Sequence, residues 1–188
     1  MNNGEPIQPE GEKINGSLTL DFGVALAPWD DCEHYLATIE AQITVWSDDE
    51  DEAAPNVPVG RIKMVVVKLA EAFRDDADYF TTLDIEELES LHKVLFTEDG
   101  VFWPHLDIQA PLGDLLVIEQ VQVNEQYEKT GLHQQAIETA ISTFASIGIV
   151  VIKKQVLRIG PTAWSERGYV DLEFKNYLLL DNFKSKCK

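Results

Sequence analysis

The sequence predicts one domain of the α/β (α+β) class, a central sheet flanked by helices, and three observations carry that expectation. Residues 115–152 run as a strand, a glycine turn, an amphipathic helix and a second strand. Two earlier segments, 17–27 and 37–47, alternate apolar and polar residues as half-buried strands do. A chain of 188 residues with 45% hydrophobic content is also long enough to bury one sizeable core.

Taken in order, residues 1–16 are polar, lack the apolar segment of a signal peptide and read as a flexible leader, leaving 17–188 for the domain. A turn-rich or short helical piece around Pro28 to Tyr35 separates the first two strands. The acidic run Asp48-Asp49-Glu50-Asp51-Glu52, followed by Pro55 and Pro58, would suffer like-charge repulsion inside a strand and reads as an exposed connection. It lacks the glycine and ligand spacing of an EF-hand loop. Val59-Gly60-Arg61-Ile62 opens an apolar stretch through Leu69, rich in β-branched valines, that predicts a buried strand. A helix follows, capped by Thr82 or Asp84 and ended by Glu98-Asp99-Gly100. Ile85, Leu88, Leu91, His92 and Leu95 recur along it at spacings of three and four. Residues 101–113 form an irregular aromatic connection in which Trp103, Pro104 and His105 either line a pocket mouth or plug the core under a loop. The last segment, 170–183, is predicted as a helix ending near Asn182.

The formal charge of −18 disfavours nucleic acid and anionic membrane as partners, because both would repel the chain. The charge is uneven. Residues 1–128 carry 6 Lys and Arg against 28 Asp and Glu, a balance of −22, whereas 129–188 carry 9 against 5, a balance of +4. Such a surface serves solubility, and it also suits a cationic partner or substrate. No apolar run approaches the roughly 20 residues of a membrane-spanning helix. Cys32 and Cys187 lie far apart, without C-x-x-C spacing, which argues against a disulfide framework or a structural zinc site and fits a cytoplasmic protein. No metal ligand set is predicted.

Chemistry is predicted in 113–133. Strict alternation places Leu115, Val117, Glu119, Val121 and Val123 on one face, with Leu116, Ile118, Gln120 and Gln122 on the other. Glu119 would then share an apolar face, its pKa raised by desolvation, as a general base near neutral pH. The competing reading is a rim glutamate or one paired with a lysine. After Tyr127-Glu128-Lys129-Thr130, Gly131 permits a tight turn into a helix over 130–146. Leu132, Ala136, Ile137, Ala140, Ile141 and Phe144 form its packing stripe. The first amides of such a helix attract phosphate, and Lys129 would add to the attraction. An ordinary turn capped by Thr130 is the alternative. Gly148 ends this helix before the strand Ile149-Val150-Val151-Ile152.

This order resembles the GNAT superfamily of acyl-CoA N-acyltransferases. The resemblance is strongest over 115–152 and extends more loosely back through Val59-Gly60-Arg61-Ile62. It implies a single mixed, mostly antiparallel central sheet flanked by helices. It also implies that acetyl-CoA or another acyl-CoA is held along Val121 and Val123 and by Lys129, Thr130, Gly131, Leu132 and His133. The family's loop pattern is Arg/Gln-x-x-Gly-x-Gly/Ala. Here Glu128 stands in place of the Arg or Gln and His133 in place of the small residue. Both weaken the expected binding, Glu128 by Coulomb repulsion on the order of 1 to 4 kcal/mol at ~4 Å. Glu119 corresponds to the family's strand acid. Tyr177, followed by Asn182-Phe183 where the family has Gly-Phe, is the counterpart of the tyrosine that protonates the leaving thiolate. A packed tyrosine is its other reading.

The expectation is therefore an N-acyltransferase moving an acyl, foremost acetyl, group to an amine: a cationic small molecule or a protein lysine. A catalytically inactive GNAT-fold binding or regulatory protein is the alternative, and an acidic inhibitor or nucleic-acid mimic a third. Homodimerisation is left open.

Overall fold

The computed structural model describes residues 16–26, 35–47, 57–75, 88, 91–109, 113–144, 146–157, 164–165, 168–172 and 176–182. Residues 1–15 of the leader, 27–34 of the connection around Pro28, the acidic run 48–52, the proposed cap at Thr82 or Asp84, Phe183 and both cysteines lie outside them.

Seven strands form one mixed, mostly antiparallel sheet: β1 (Gly16–Leu26), β2 (Leu36–Ser47), β3 (Val57–Val67), β4 (Leu115–Val123), β5 (Ile149–Lys153), β6 (Val170–Leu172) and β7 (Tyr177–Asp181). Their spatial order is β1-β2-β3-β4-β5-β7-β6. Among these neighbours β4 and β5 alone run parallel. A parallel pair needs a crossover, which the helix α3 (Leu132–Thr143) supplies. Its buried Leu132, Ala136, Ile137 and Ala140 pack onto one face of the sheet with Leu20, Ile39, Ile62, Leu116 and Ile118. The opposite face is covered in part by α1 (Leu69–Arg74) and α2 (Leu91–Leu95), whose leucines join Val65, Val67, Leu115, Val117 and Val151.

With both faces covered, the central strands need apolar residues at consecutive positions, and Leu115 to Ile118 are completely buried. The same constraint overturns the helix expected over 170–183, which is the pair β6 and β7. Leu178 and Leu180 enter the α3-side core while Tyr177 and Leu179 enter the other. The leucine run reads as helical only because a strand buried on both sides shows no polar alternation. The helix expected over 130–146 is shorter than predicted, closing at Phe144, while hydroxyls of Ser142 and Thr143 donate to the Thr139 carbonyl.

Two irregularities interrupt the β2-β3-β4 ladder. One lies between Ile43 and Thr44 and the other between Lys63 and Met64. Near the first, Gly60 sits opposite Val123, so close that a Cβ at Gly60 would lie 2.2 Å from the Gln122 carbonyl oxygen. The obstacle is backbone and has no rotamer in which to yield. Gly60→Ala is expected to cost about 1–3 kcal/mol through overpacking, read as a lower urea midpoint; an unchanged midpoint would contradict this close approach.

Candidate functional site

At the second irregularity Met64 pairs with Ile118 and Lys63 with Gln120, so Glu119 is an extra residue on β4. A bulge of one residue reverses the alternation beyond it. Leu115, Val117 and Glu119 lie toward the α1 side, whereas Val121 and Val123 join Leu116 and Ile118 in the α3-side core. The single face predicted for Leu115, Val117, Glu119, Val121 and Val123 is thus divided. Two polar residues in succession, Glu119 and Gln120, separate Ile118 from Val121, and the bulge lets both apolar neighbours reach one core.

Glu119 is buried, 6% exposed, yet it does not rest among valines alone. Lys153 Nζ donates to its Oε1 at 3.0 Å, and Lys63 Nζ stands 3.0 Å from its Oε2. Strand register explains the meeting. Lys63 on β3 and Lys153 on β5 flank the bulge, one residue beyond the pairs Met64–Ile118 and Ile118–Ile152. Burial by itself raises the Glu119 pKa. The hydrogen bonds and positive charges of Lys153 and Lys63 outweigh it and hold the carboxyl below its ordinary value of 4.5. The elevated pKa predicted from an apolar face is therefore reversed, and the lysine-paired reading is the one realised.

Tyr177 lies on the same face, paired in register with Lys153. It is two strands from Glu119, about 10 Å at the usual strand spacing. Its side chain is buried in the α1-side core.

Beyond Ile118 and Ile152 the parallel ladder stops: β4 continues to Val123, whereas the chain after β5 coils into a 3₁₀ turn, Lys154–Val156. A cleft of about 520 Å³ occupies this divergence, lined by Lys63, Glu119, Gln120, Val121, Gln122, Lys153, Gln155 and Val156. Gln122 also borders a larger groove of about 1190 Å³ across β1 to β4. There Asp21, Glu40 and Glu125 contribute carboxylates and Arg61 is the basic residue among the described lining, its Nε donating to Gln122 Oε1 at 2.7 Å. Val123 lines this groove and Val121 the smaller cleft. Trp103 and His105 line neither described cavity, and Trp103 Nε1 donates to the Lys93 carbonyl at 3.2 Å.

The turn before α3 is Glu125–Tyr127 in 3₁₀ form, then Glu128 to Gly131. Gly131 adopts φ 79°, the left-handed region, and no heavy atom lies within 4 Å of where its Cβ would be. Glycine is required here by backbone conformation, and the space above it is open. The helix start is less bare than predicted: the Gln134 and Gln135 amides both reach the Gly131 carbonyl at 3.1 Å. The Leu132 amide faces Thr130 Oγ1 at 3.4 Å. Lys129 and Glu128 are exposed, Thr130 is half-buried, and Leu132 and His133 are buried. The His133 ring, 6% exposed, therefore does not block the open side of the turn.

Lys63 and Lys153 are the site residues missed from sequence. Their signal was present: Lys63 interrupts the apolar run between Ile62 and Met64, and Lys153 follows the buried strand Ile149 to Ile152. A charge embedded in such a run calls for a countercharge on a neighbouring strand. Among the described residues no group of His, Cys, Asp and Glu is placed to hold a metal ion, and no helix is long and apolar enough to cross a membrane. Neither a protein-family model, nor a curated protein, nor a solved structure matches the chain.

Glu119→Gln is expected to destabilise the fold by about 1–3 kcal/mol at neutral pH, between the values for exposed and buried pairs, because both lysines are partly in solvent. The acid dependence has a definite sign. A folded-state pKa below 4.5 means that the pairs stabilise at and above that pH and are lost as pH falls through the lowered value. Urea midpoints should therefore fall more steeply below pH 4.5 in the natural protein than in Glu119→Gln; parallel pH profiles would remove Glu119 as the cause.

Proposed function

We propose that the chain is a GNAT-like acyl-CoA N-acyltransferase that carries an acyl group, foremost acetyl, to an amine acceptor. The observation that carries this reading is the parting of β4 and β5 immediately past the bulge, which leaves a strand edge along a cleft. Past the last β5 pair, the β4 edge from Gln120 to Val123 would offer amides to an extended polar chain, with Val121 supplying apolar contact. At the neighbouring turn the open space over Gly131 and the exposed Lys129 suit a phosphate group, whereas Glu128 opposes one.

An acyl-CoA supplies an activated thioester; the protein's part is to align the amine and stabilise the developing charge. Attack forms the C–N bond and breaks the C–S bond, so a proton must leave the nitrogen and the thiolate must be neutralised. Glu119, with both oxygens ion-paired and its pKa lowered, is a poor acceptor for that proton near neutrality. Its role in this reading is to fix Lys63 and Lys153 at the cleft floor, with an acceptor amine losing its proton to water. The acidic groove, with Asp21, Glu40 and Glu125, suits a cationic acceptor. Tyr177, buried beyond Lys153, serves as thiolate acid only if its hydroxyl reaches the cleft. The two cysteines without metal or disulfide spacing accord with a cytoplasmic setting.

The ion-paired state of Glu119 favours a second reading, in which the same scaffold binds an acyl-CoA without turning it over. Calorimetric titration with acetyl-CoA, followed by thiol release in the presence of polyamines and lysine peptides, separates the two. Binding with release supports the transferase and binding without release the binding protein; no binding at millimolar concentration sinks both. Tyr177→Phe should lower turnover at saturating substrate by tenfold or more if it protonates the thiolate, and an unchanged rate would assign it to packing alone.

A further inference from the structure

The sheet ends differently at its two edges. β6 is 3 residues long and carries an ion-paired acid at its centre, Asp171 with Lys154, as edges protected from further pairing do. β1 runs for 11 residues, pairs with β2 throughout, and among the described residues has no strand beyond it. In an antiparallel strand alternate residues turn amide and carbonyl away from the partner, so about five residues of β1 present both groups outward. The usual devices that blunt an edge are missing from it. Residues 16–26 hold no Lys, Arg or Pro, and the β1–β2 register is unbroken by a bulge.

The space beside this edge is shaped on both faces. On the α3 side a groove of about 480 Å³ is lined by Leu18 and by one stripe of the helix, Gln135, Glu138, Thr139 and Ser142. Phe22, 38% exposed, meets Phe144 edge-to-face at 5.6 Å and extends the apolar surface along the strand. On the opposite face Asp21 and Gly23 are exposed and border the larger groove with Glu40. The Asp21 carboxylate accepts a hydrogen bond from Thr44 Oγ1 at 3.4 Å and forms no ion pair among the described residues. Gly23 pairs with Glu40, and a Cβ there would rest at an ordinary 3.6 Å from the Glu40 carbonyl oxygen, with φ outside the left-handed region. Neither packing nor backbone conformation requires glycine at this place. What it leaves is a gap at the edge, through which another chain can approach Asp21 and Glu40 closely.

We infer that the outer edge of β1 binds an extended segment of a partner protein as an added strand, with basic residues on the Asp21 face and apolar residues on the α3 face. Main-chain hydrogen bonds give such pairing its strength, and the alternate side chains give it selectivity. Charge selects the occupant. The chain carries a formal −18, and Asp21 is the charged residue of β1, so a basic strand is drawn to this edge. A second copy of β1 would bring another acidic chain against the same field and supply no cation. The surface goes beyond the acyl-transfer reading and stands without it.

The probe is a blocked peptide of alternating lysine and valine, about seven residues long, the length of an ordinary strand. It is titrated into the full-length protein at physiological salt, with calorimetry and amide hydrogen exchange as readouts. Saturable one-to-one binding is expected, with exchange slowed over Gly16–Leu26. An isomer with lysines and valines in separate blocks keeps the charge and loses the alternation. A version N-methylated along its backbone keeps both and loses the donors. Each should bind about tenfold or more weakly. Asp21→Lys, first verified as folded by its thermal transition, should lose the lysine peptide and accept an alternating glutamate and valine peptide. No saturable binding overturns the proposal, as does equal binding of the three lysine peptides or unchanged binding by Asp21→Lys, either of which reduces the contact to diffuse charge attraction. Slowed exchange over β1 at high protein concentration without peptide, with a dimer in sedimentation, would assign the edge to a second copy and overturn it equally. Acetyl-CoA titration decides the acyl-transfer reading separately, so the two stand or fall apart.

Discussion

Glu119 occupies the one place where the central strand holds a residue more than its antiparallel neighbour, and its two ion pairs tie β3, β4 and β5 together there. Were the same residues to alternate without a bulge, Ile118 and Val121 would fall on opposite faces, and the polar Gln120 would take the place of Val121 in the α3-side layer. With it, the apolar residues on both sides of the bulge reach the α3-side core and the carboxylate turns to the other face. A buried carboxylate is costly unless paired, and here both flanking strands supply a cation at the adjacent position. Lys63 and Lys153 are those cations. Backbone irregularity, core packing and local charge are consequently one constraint.

The same constraint sets where the sheet opens. Upstream of Glu119, four consecutive residues of β4 are completely buried and pair with β5; downstream, Gln120 and Gln122 are exposed and β5 has already ended. A strand with an apolar first half and an alternating second half can be sandwiched only over its first half. The cleft is the physical result of that change in pattern. Gly60 completes the arrangement from the other side, because the approach of β3 to Gln122 and Val123 leaves no room for a side chain and keeps β4 in the sheet after it has lost β5.

Much of this was legible in the residues. Alternation marked β1 and β2, the valine run marked β3, and the spacing of Leu132, Ala136, Ile137 and Ala140 marked the crossover helix, because each element has one polar and one apolar side or a long apolar run. The leucines 178–180 misled because burial on both faces erases the period that distinguishes strand from helix. The bulge could not be read locally: whether Glu119 and Gln120 share a side depends on which residues of β3 they meet, a tertiary fact. The direction of the Glu119 pKa followed from the same missing partners. Burial gave the right desolvation and the wrong sign, because Lys63 and Lys153 lie 56 and 34 positions away in the chain.

Two recesses therefore adjoin on one sheet and share Gln122. The groove over β1 to β4 presents Asp21, Glu40 and Glu125 and extends the acidity of the first two thirds of the chain. The cleft presents Lys63 and Lys153, and Lys153 comes from the basic final third. The uneven charge along the sequence is thus brought into apposition by the β4-β5 crossover.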